Sequence, residues 1–478
     1  MRRWTGTAAI AAGLIAAGLI ALWPDPACAA EGGVDGAKLG LPWGIPFAGI
    51  LLSIALFPLL APQTWHHHFG KIAAFWSLAF LVPFAVVYGI GNAWDALLHT
   101  ALFEYVPFIL LIYALFVVAG GIWVNGDVPG TPLNNLYFLA FGTLIASLVG
   151  TTGAAMLLIR PLIAANRERR HNQHVFVFFI FLVANIGGAL SPVGDPPLYL
   201  GFLKGIDFFW PLQNMLGPML LVAVPLLAIV FALDSWLYAR EGRPFAHRDE
   251  QAPIRIRGAH NIVYISMIVG VVLASGVFST GIVIPVAGQS WPLESLLRGI
   301  ALVAIGVLSL RTTKPEIRIA NAFTWFPIQE VAVLFAAIFI TIIPALAILN
   351  AGAAGEAAPL VALVTSADGR PIDAYYFWIT GGLSSFLDNA PTYLVFFQLA
   401  GGDPAALQTD LANTLLAISC GAVFMGANTY IGNAPNFMVK SICDEKGIRM
   451  PSFFGYMGWS AVFLLPLFAL VTWVYFTP

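Results

Sequence analysis

Asp195, Asp388, Asn389 and Asn433 are the side chains whose type and setting best suit ion chemistry. Asp195 stands in S-P-V-G-D-P-P at Ser191–Pro197, with Gly194 before it and Pro196-Pro197 after it. Proline removes N–H donors and ends a helix, so freed carbonyls and half-helix ends would surround the carboxylate and suit Na⁺ or H⁺. T-Y-I-G-N-A-P at Thr429–Pro435 repeats the pattern: Gly194 matches Gly432, Asp195 matches Asn433 and Pro197 matches Pro435, each 238 residues on (432 − 194 = 238). Upstream, Ser147–Thr152 and Ser385–Ala390 share that offset (385 − 147 = 238), so Gly150-Thr151-Thr152 faces Asp388-Asn389-Ala390. Two polar, Gly/Pro-interrupted segments at matching places in two halves point to a transporter's binding site.

Neutral ligands accompany them: Thr151, Thr152, Asn185, Ser191, Asn389, Asn428, Thr429 and Asn433 lie at or near these breaks and tips. Gly194 and Gly432 permit close backbone approach. Each residue has a plainer reading. Asp195, or Asp388-Asn389, could cap a returning half-helix, a position these types favour, and the neutral groups could satisfy broken backbone. Glu104 in F-E-Y-V-P and Glu330 in Q-E-V-A-V read as the start of the third span of each half. Either they are interfacial carboxylates stabilised by the helix dipole, or they serve proton transfer or gating.

The elements that must hold these groups lie in a membrane. Hydrophobic residues make up 59% of the chain and charged ones 10%, against about 25% charged in a soluble domain, and mean hydropathy is +0.85. Spans of about 20 apolar residues read near 43–61, 72–91, 101–124, 175–205 and 208–236, then 260–283, 290–309, 325–350, 411–440 and 451–475. The stretches 135–163 and 375–401 are interrupted by the polar tips at 150–153 and 387–391 and read as re-entrant hairpins. Irregular backbone at membrane depth is tolerated only where protein or a water-filled cavity satisfies it, which marks the tips as site-lining.

With residue 31 outside, alternating spans put the basic loops at 164–174, 237–259, 310–324 and 441–450 inside, the positive-inside asymmetry. The hairpins then enter from opposite faces. The expected fold is an all-α polytopic membrane protein of two inverted repeats, residues 31–236 and 260–478, each with five transmembrane helices and one re-entrant hairpin, and with broken fifth helices. A cytoplasmic linker, 237–259, joins them. Residues 1–30 read as a signal peptide, with Arg2-Arg3, an apolar run and Ala27-Cys28-Ala29. An uncleaved first helix is the alternative; if the segment is removed, the new N-terminus lies outside the cell membrane.

Other chemistries find little purchase. Cys28, Cys420 and Cys443 have no metal-ligand spacing and imply no disulfide framework. His66-His67-His68 reads as a solvated inside loop rather than a metal site, and all eight histidines fall in loops or at span ends. Arg160 and Arg298 lie inside apolar runs and could snorkel. No H-E-x-x-H or G-x-S-x-G occurs, so an enzyme is not expected, nor a resident cofactor or metal beyond a transported ion. Nucleic acid is not an expected partner; the lipid bilayer and a small cation or organic anion are.

N-I-G-G-A-L-S-P-V-G-D-P-P at Asn185–Pro197 resembles the fifth-helix break of the ion transporter superfamily, which includes arsenite permeases, divalent-anion:sodium symporters, citrate–metal transporters and sodium:proton antiporters. F-L-D-N-A-P-T at Phe386–Thr392 resembles the second hairpin tip of the arsenite-permease and sodium:proton-antiporter branches, and G-A-N-T-Y-I-G-N-A-P-N at Gly426–Asn436 their second broken helix. The resemblance implies inverted repeats, a scaffold and a transport unit, an elevator-like cycle and a homodimer. The dicarboxylate branch carries Ser-Asn-Thr at both tips; here they read Gly150-Thr151-Thr152 and Asp388-Asn389-Ala390. A carboxylate at Asp388 would repel an anion by roughly a kcal/mol or more at contact. The expectation is therefore sodium:proton antiport in the inner membrane, with Na⁺- or H⁺-coupled citrate or dicarboxylate uptake as the alternative and metalloid oxyanion export third.

Overall fold

The computed structural model describes residues 36–126, 128–244, 255–286, 288–366 and 368–477. The leader assigned to residues 1–30 lies outside the described residues, as do residues 245–254 of the linker. The described residues are mostly helical. Among the described residues nine helices are long and apolar enough to cross a membrane: Leu41–Pro58, Pro62–Tyr88, Ile90–Ala119, Pro132–Val149, Gln173–Leu190, Trp210–Arg240, His260–Val277, Leu293–Thr312 and Phe326–Asn350. A tenth is a pair, Phe453–Phe463 and Leu465–Phe476, bent by 40°. Large apolar side chains cover the periphery; Leu60, Val86, Ile90 and Phe454 are each about four-fifths exposed. Water would not tolerate so continuous an apolar surface, whereas hydrocarbon does.

Both expected hairpins form. Pro132–Val149 turns back into Thr151–Ala165 at Gly150, whose φ of 78° suits glycine. Asp373–Phe386 turns into Asn389–Leu399 through extended Leu387 and Asp388. Both expected breaks form too. Gln173–Leu182 gives way to a short 3₁₀ turn, Ile186–Leu190, before Pro196–Leu203 resumes. Ala412–Met425, Gly426–Asn428 and Ala434–Glu445 repeat that order. The third spans of the two halves meet directly, with Phe108 stacked on Phe335 at 4.6 Å and the Tyr105 hydroxyl donating to Ala332 O at 2.9 Å.

Several sequence expectations are corrected. His66–His68 lie in the opening turns of the Pro62–Tyr88 helix, not in a loop, and His67 and His68 bond to Gln63 O and Thr64 O of that helix. The third span begins at Ile90, so Glu104 sits mid-helix in a π-turn, Ala101–Tyr105, rather than at a helix start. There Lys204 neutralises it at 2.6 Å. Histidine is not confined to loops and span ends, since His99 lies within the Ile90–Ala119 span; His174, at the start of Gln173–Leu182, is buried and bonds Asp234 at 3.0 Å, beside Arg169, which also reaches Asp234 at 2.7 Å. Arg298 does not snorkel; it is buried. Within the linker, Arg255–Arg257 pairs antiparallel with Trp123–Asn125.

Candidate functional site

Asp195 follows the first break in extended conformation (φ −143°, ψ 143°) at the N-cap position of Pro196–Leu203, yet its side chain makes no capping bond. The reason is local. Pro196 and Pro197 occupy the first two helical positions and have no N–H to offer, so the carboxylate is free to turn elsewhere. It accepts three bonds from three elements: Thr151 Oγ1 at 3.0 Å and Asn433 Nδ2 at 3.2 Å on Oδ1, and Asn389 Nδ2 at 2.6 Å on Oδ2. Thr151 and Asn389 open the returning helices of the two hairpins at the shared offset (389 − 151 = 238), and Asn433 is the counterpart of Asp195 itself. Both tips and both breaks therefore meet at one carboxylate.

The frame beneath is built twice by the same bonds. Ser191 Oγ donates to Ser147 O, and Thr429 Oγ1 donates to Ser385 O at 2.5 Å. Ser147 Oγ reaches Gly187 O at 2.6 Å, and Ser385 Oγ reaches Met425 O at 3.0 Å. Gly432 is needed for this closeness: a Cβ there would lie 2.5 Å from Gly426 O and 2.7 Å from Ser384 O. Gly194 is crowded likewise by Gly188 O and the Ser147 backbone. Asn185 donates to Ile180 O and to Asn436 Oδ1, and accepts from Asn433 at 3.2 Å. Ser147, Ser385 and Asn436 were not singled out as site residues; Asn436, whose amide donates to Gly426 O and Thr429 O, carried the signal of a polar residue just past Pro435.

Other expected residues fall outside the cluster. Asp388 is half-buried and caps the Asn389–Leu399 helix, its Oδ1 accepting from Ala390 N at 3.1 Å. It lies within electrostatic range of Asp195 but is not bonded to it. Thr152 is half-buried with no hydrogen bond to the carboxylate, and Asn428 donates to Ser385 Oγ at 3.0 Å. Glu330 accepts from Trp65 Nε1 at 2.8 Å, and Glu104 is held by Lys204; neither joins Asp195.

Electrically the site is incomplete. Asp195 is 2% exposed, and no Arg, Lys or His among the described residues pairs with it. Neutral donors ease such a charge without cancelling it, and a buried uncompensated charge is expensive. One acceptor in the cluster, Asn389 Oδ1, is buried without a partner among the described residues, as is Asn428 Oδ1 on the Ser385 frame outside it. No group of three or more His, Cys, Asp or Glu there is arranged to hold a metal. A lone carboxylate with a free amide oxygen beside it suits a hard monovalent cation or a proton.

A bundle of apolar spans holding two helical hairpins and two polar helix breaks, in a chain that matches a transport family, defines a membrane transport protein rather than an enzyme. The chain belongs to the family described as "Putative citrate transport", whose profile matches residues 36–476. It is similar to an uncharacterized transporter of Mycobacterium bovis and to one of Mycobacterium tuberculosis, each 26% identical over 387 residues, covering 78% of this chain and 79% of theirs.

Proposed function

We propose that this chain is a secondary active transporter that exchanges Na⁺ for H⁺ at Asp195. The observation that carries the reading is the uncompensated buried carboxylate between two hairpin tips, with the free oxygen of Asn389 in the same cluster. In the proposed cycle Asp195 binds Na⁺ when ionised and releases it on protonation, so the site is never left as a bare buried charge. Asp388, near but tied to its helix cap, adds negative potential. Thr151, Asn389, Asn433, Asn185 and the Ser191 and Thr429 hydroxyls keep the breaks in register, and Gly194 and Gly432 allow the backbones to approach.

The reading includes two repeats, 31–236 and 260–478, related by inversion across a bacterial-type inner membrane. Hairpins and broken helices form a unit that moves against the remaining spans, in a homodimer. What supports inversion is the shared offset in sequence and hydrogen bonding together with the basic inside loops.

A second reading, cation-coupled uptake of citrate or a related organic anion, is favoured by the family's description. Half-helix N-termini could hold a carboxylate, but no cationic side chain among the described residues bonds within the cluster, so such an anion would need bound Na⁺ as its counter-charge. Purified protein in proteoliposomes separates the two. Na⁺-driven collapse of an imposed pH gradient, without labelled-citrate uptake, is the expected result. Na⁺-dependent citrate accumulation with no proton movement would overturn it.

A further inference from the structure

A cavity of about 540 Å³ lies away from Asp195, between two groups of elements. One side is formed by the third span at Phe103 and by the lead-in and first turns of the Leu293–Thr312 helix, including Trp291 and Arg298. Across from them stand Phe202, at the end of the first broken helix, and Phe208 just beyond it. The Glu104–Lys204 pair bridges the same two sides at 2.6 Å.

Arg298 is 6% exposed and forms no ion pair among the described residues. Its Nη1 donates to Ser275 Oγ at 3.1 Å, and its guanidinium lies 5.7 Å from the centre of the Phe202 ring. A guanidinium has five N–H donors, so most of its capacity is unspent. Trp291, on the same lining, has a buried indole N–H with no acceptor among the described residues. The cavity's own acids do not fill the gap: Asp207 accepts from Phe209 N at 2.7 Å, and the Glu294 carboxylate accepts from Thr280 Oγ1 at 2.9 Å. A buried donor left without an acceptor costs free energy, as at the Trp291 indole, and Arg298 beside it has donors to spare: the lining suits an anionic group for the arginine and an apolar body for the rings.

We propose that this cavity is an oxyanion site, taking a phosphate or carboxylate group carried on a hydrocarbon body. Arg298 would engage the oxyanion with the planar fork that matches such groups, Trp291 would donate a further bond, and Phe103, Phe202 and Phe208 would cover the apolar part. An occupant would touch both sides of the cavity and so hold them together. The headgroup of an anionic phospholipid and a free oxyanion share this chemistry.

The test uses purified full-length protein in mixed micelles and follows thermal unfolding against added phosphatidylglycerol, phosphatidylcholine or inorganic phosphate. Phosphatidylglycerol should raise the wild-type midpoint where phosphatidylcholine does not, and Arg298→Gln should weaken the half-saturating concentration about tenfold, the scale of one charge-assisted hydrogen bond. An Arg298-dependent rise with phosphate alone would support the site and identify its source as a soluble oxyanion. If neither compound gives an Arg298-dependent shift, the proposal is overturned. Should Arg298→Gln fail to fold, Trp291→Phe decides: a weakened titration supports the site, and an unchanged one overturns it.

Discussion

Replacing Asp195 by Asn and by Ala separates the charge of this residue from its role as an acceptor. In Asp195→Asn the retained oxygen can face Thr151 and Asn433, while the new amide NH₂ meets Asn389. Asn389 has an unpartnered Oδ1, so turning its amide over restores a bond there. Charge-assisted bonds become neutral ones, and burying a charge is no longer required; the net change is within about 1 kcal/mol. Asp195→Ala strands Asn389 Nδ2, which has no other acceptor among the described residues. Asn433 keeps Ala184 O and Asn185 Oδ1, and the Thr151 hydroxyl can rotate. One stranded donor costs about 1–3 kcal/mol, and the emptied volume adds to it, giving a loss of roughly 2–4 kcal/mol. Thermal unfolding in detergent should therefore rank Asp195→Ala well below Asp195→Asn, with the Asn variant near wild type. Both should lose Na⁺-coupled flux in proteoliposomes. Equal unfolding of the two variants would refute the buried, convergent site, and coupled flux in Asp195→Asn would refute its ionic role.

Gly432→Ala should destabilise by about 1–3 kcal/mol through overpacking against two backbone carbonyls. Gly458→Ala, whose added Cβ meets nothing within 4 Å, is the control and should melt no lower than wild type. Asp388→Ala should lose about 1 kcal/mol with its cap; Asp388→Asn should keep the cap and shift the Na⁺ half-saturation of flux while retaining coupling, unlike Asp195→Asn. Replacing His66, His67 and His68 together by Ala should leave flux nearly intact, because all three are exposed on the opening turns of their helix; a loss restored by added divalent metal would contradict this.

Sequence made the breaks and tips legible because they depend on local rules. Proline at positions 196, 197 and 435 and glycine at 150, 194 and 432 interrupt apolar runs wherever they occur in a membrane, and the offset aligned them. Partners distant in the chain were not legible. Glu104 looked like a helix start because Asn92, Asp95 and His99 break the apolar run before it; the helix passes through because Lys204, 100 residues on, cancels the charge. The three histidines hid a helix start for a related reason, since hydropathy falls where a helix end meets water. Arg169 counted as a loop charge, yet it is 4% exposed between Asp234 and Glu241, a pairing no local pattern encodes. The capping role of Asp388 was legible as one of two alternatives, whereas the freedom of Asp195 from capping needed the two prolines to be read for the donors they lack.

Asp195 and Asn433 occupy equivalent places and touch, at 3.2 Å. Two identical half-length chains arranged as these halves are would offer two carboxylates at this point or none. A pair in contact could not both ionise, and one proton would be held between them; two amides would hold no charge at all. A single carboxylate is the count that identical halves are unable to supply. Joining the halves in one chain lets position 195 and position 433 differ, and with that difference the site acquires one elementary charge inside a frame whose hydrogen bonds remain the same on both sides.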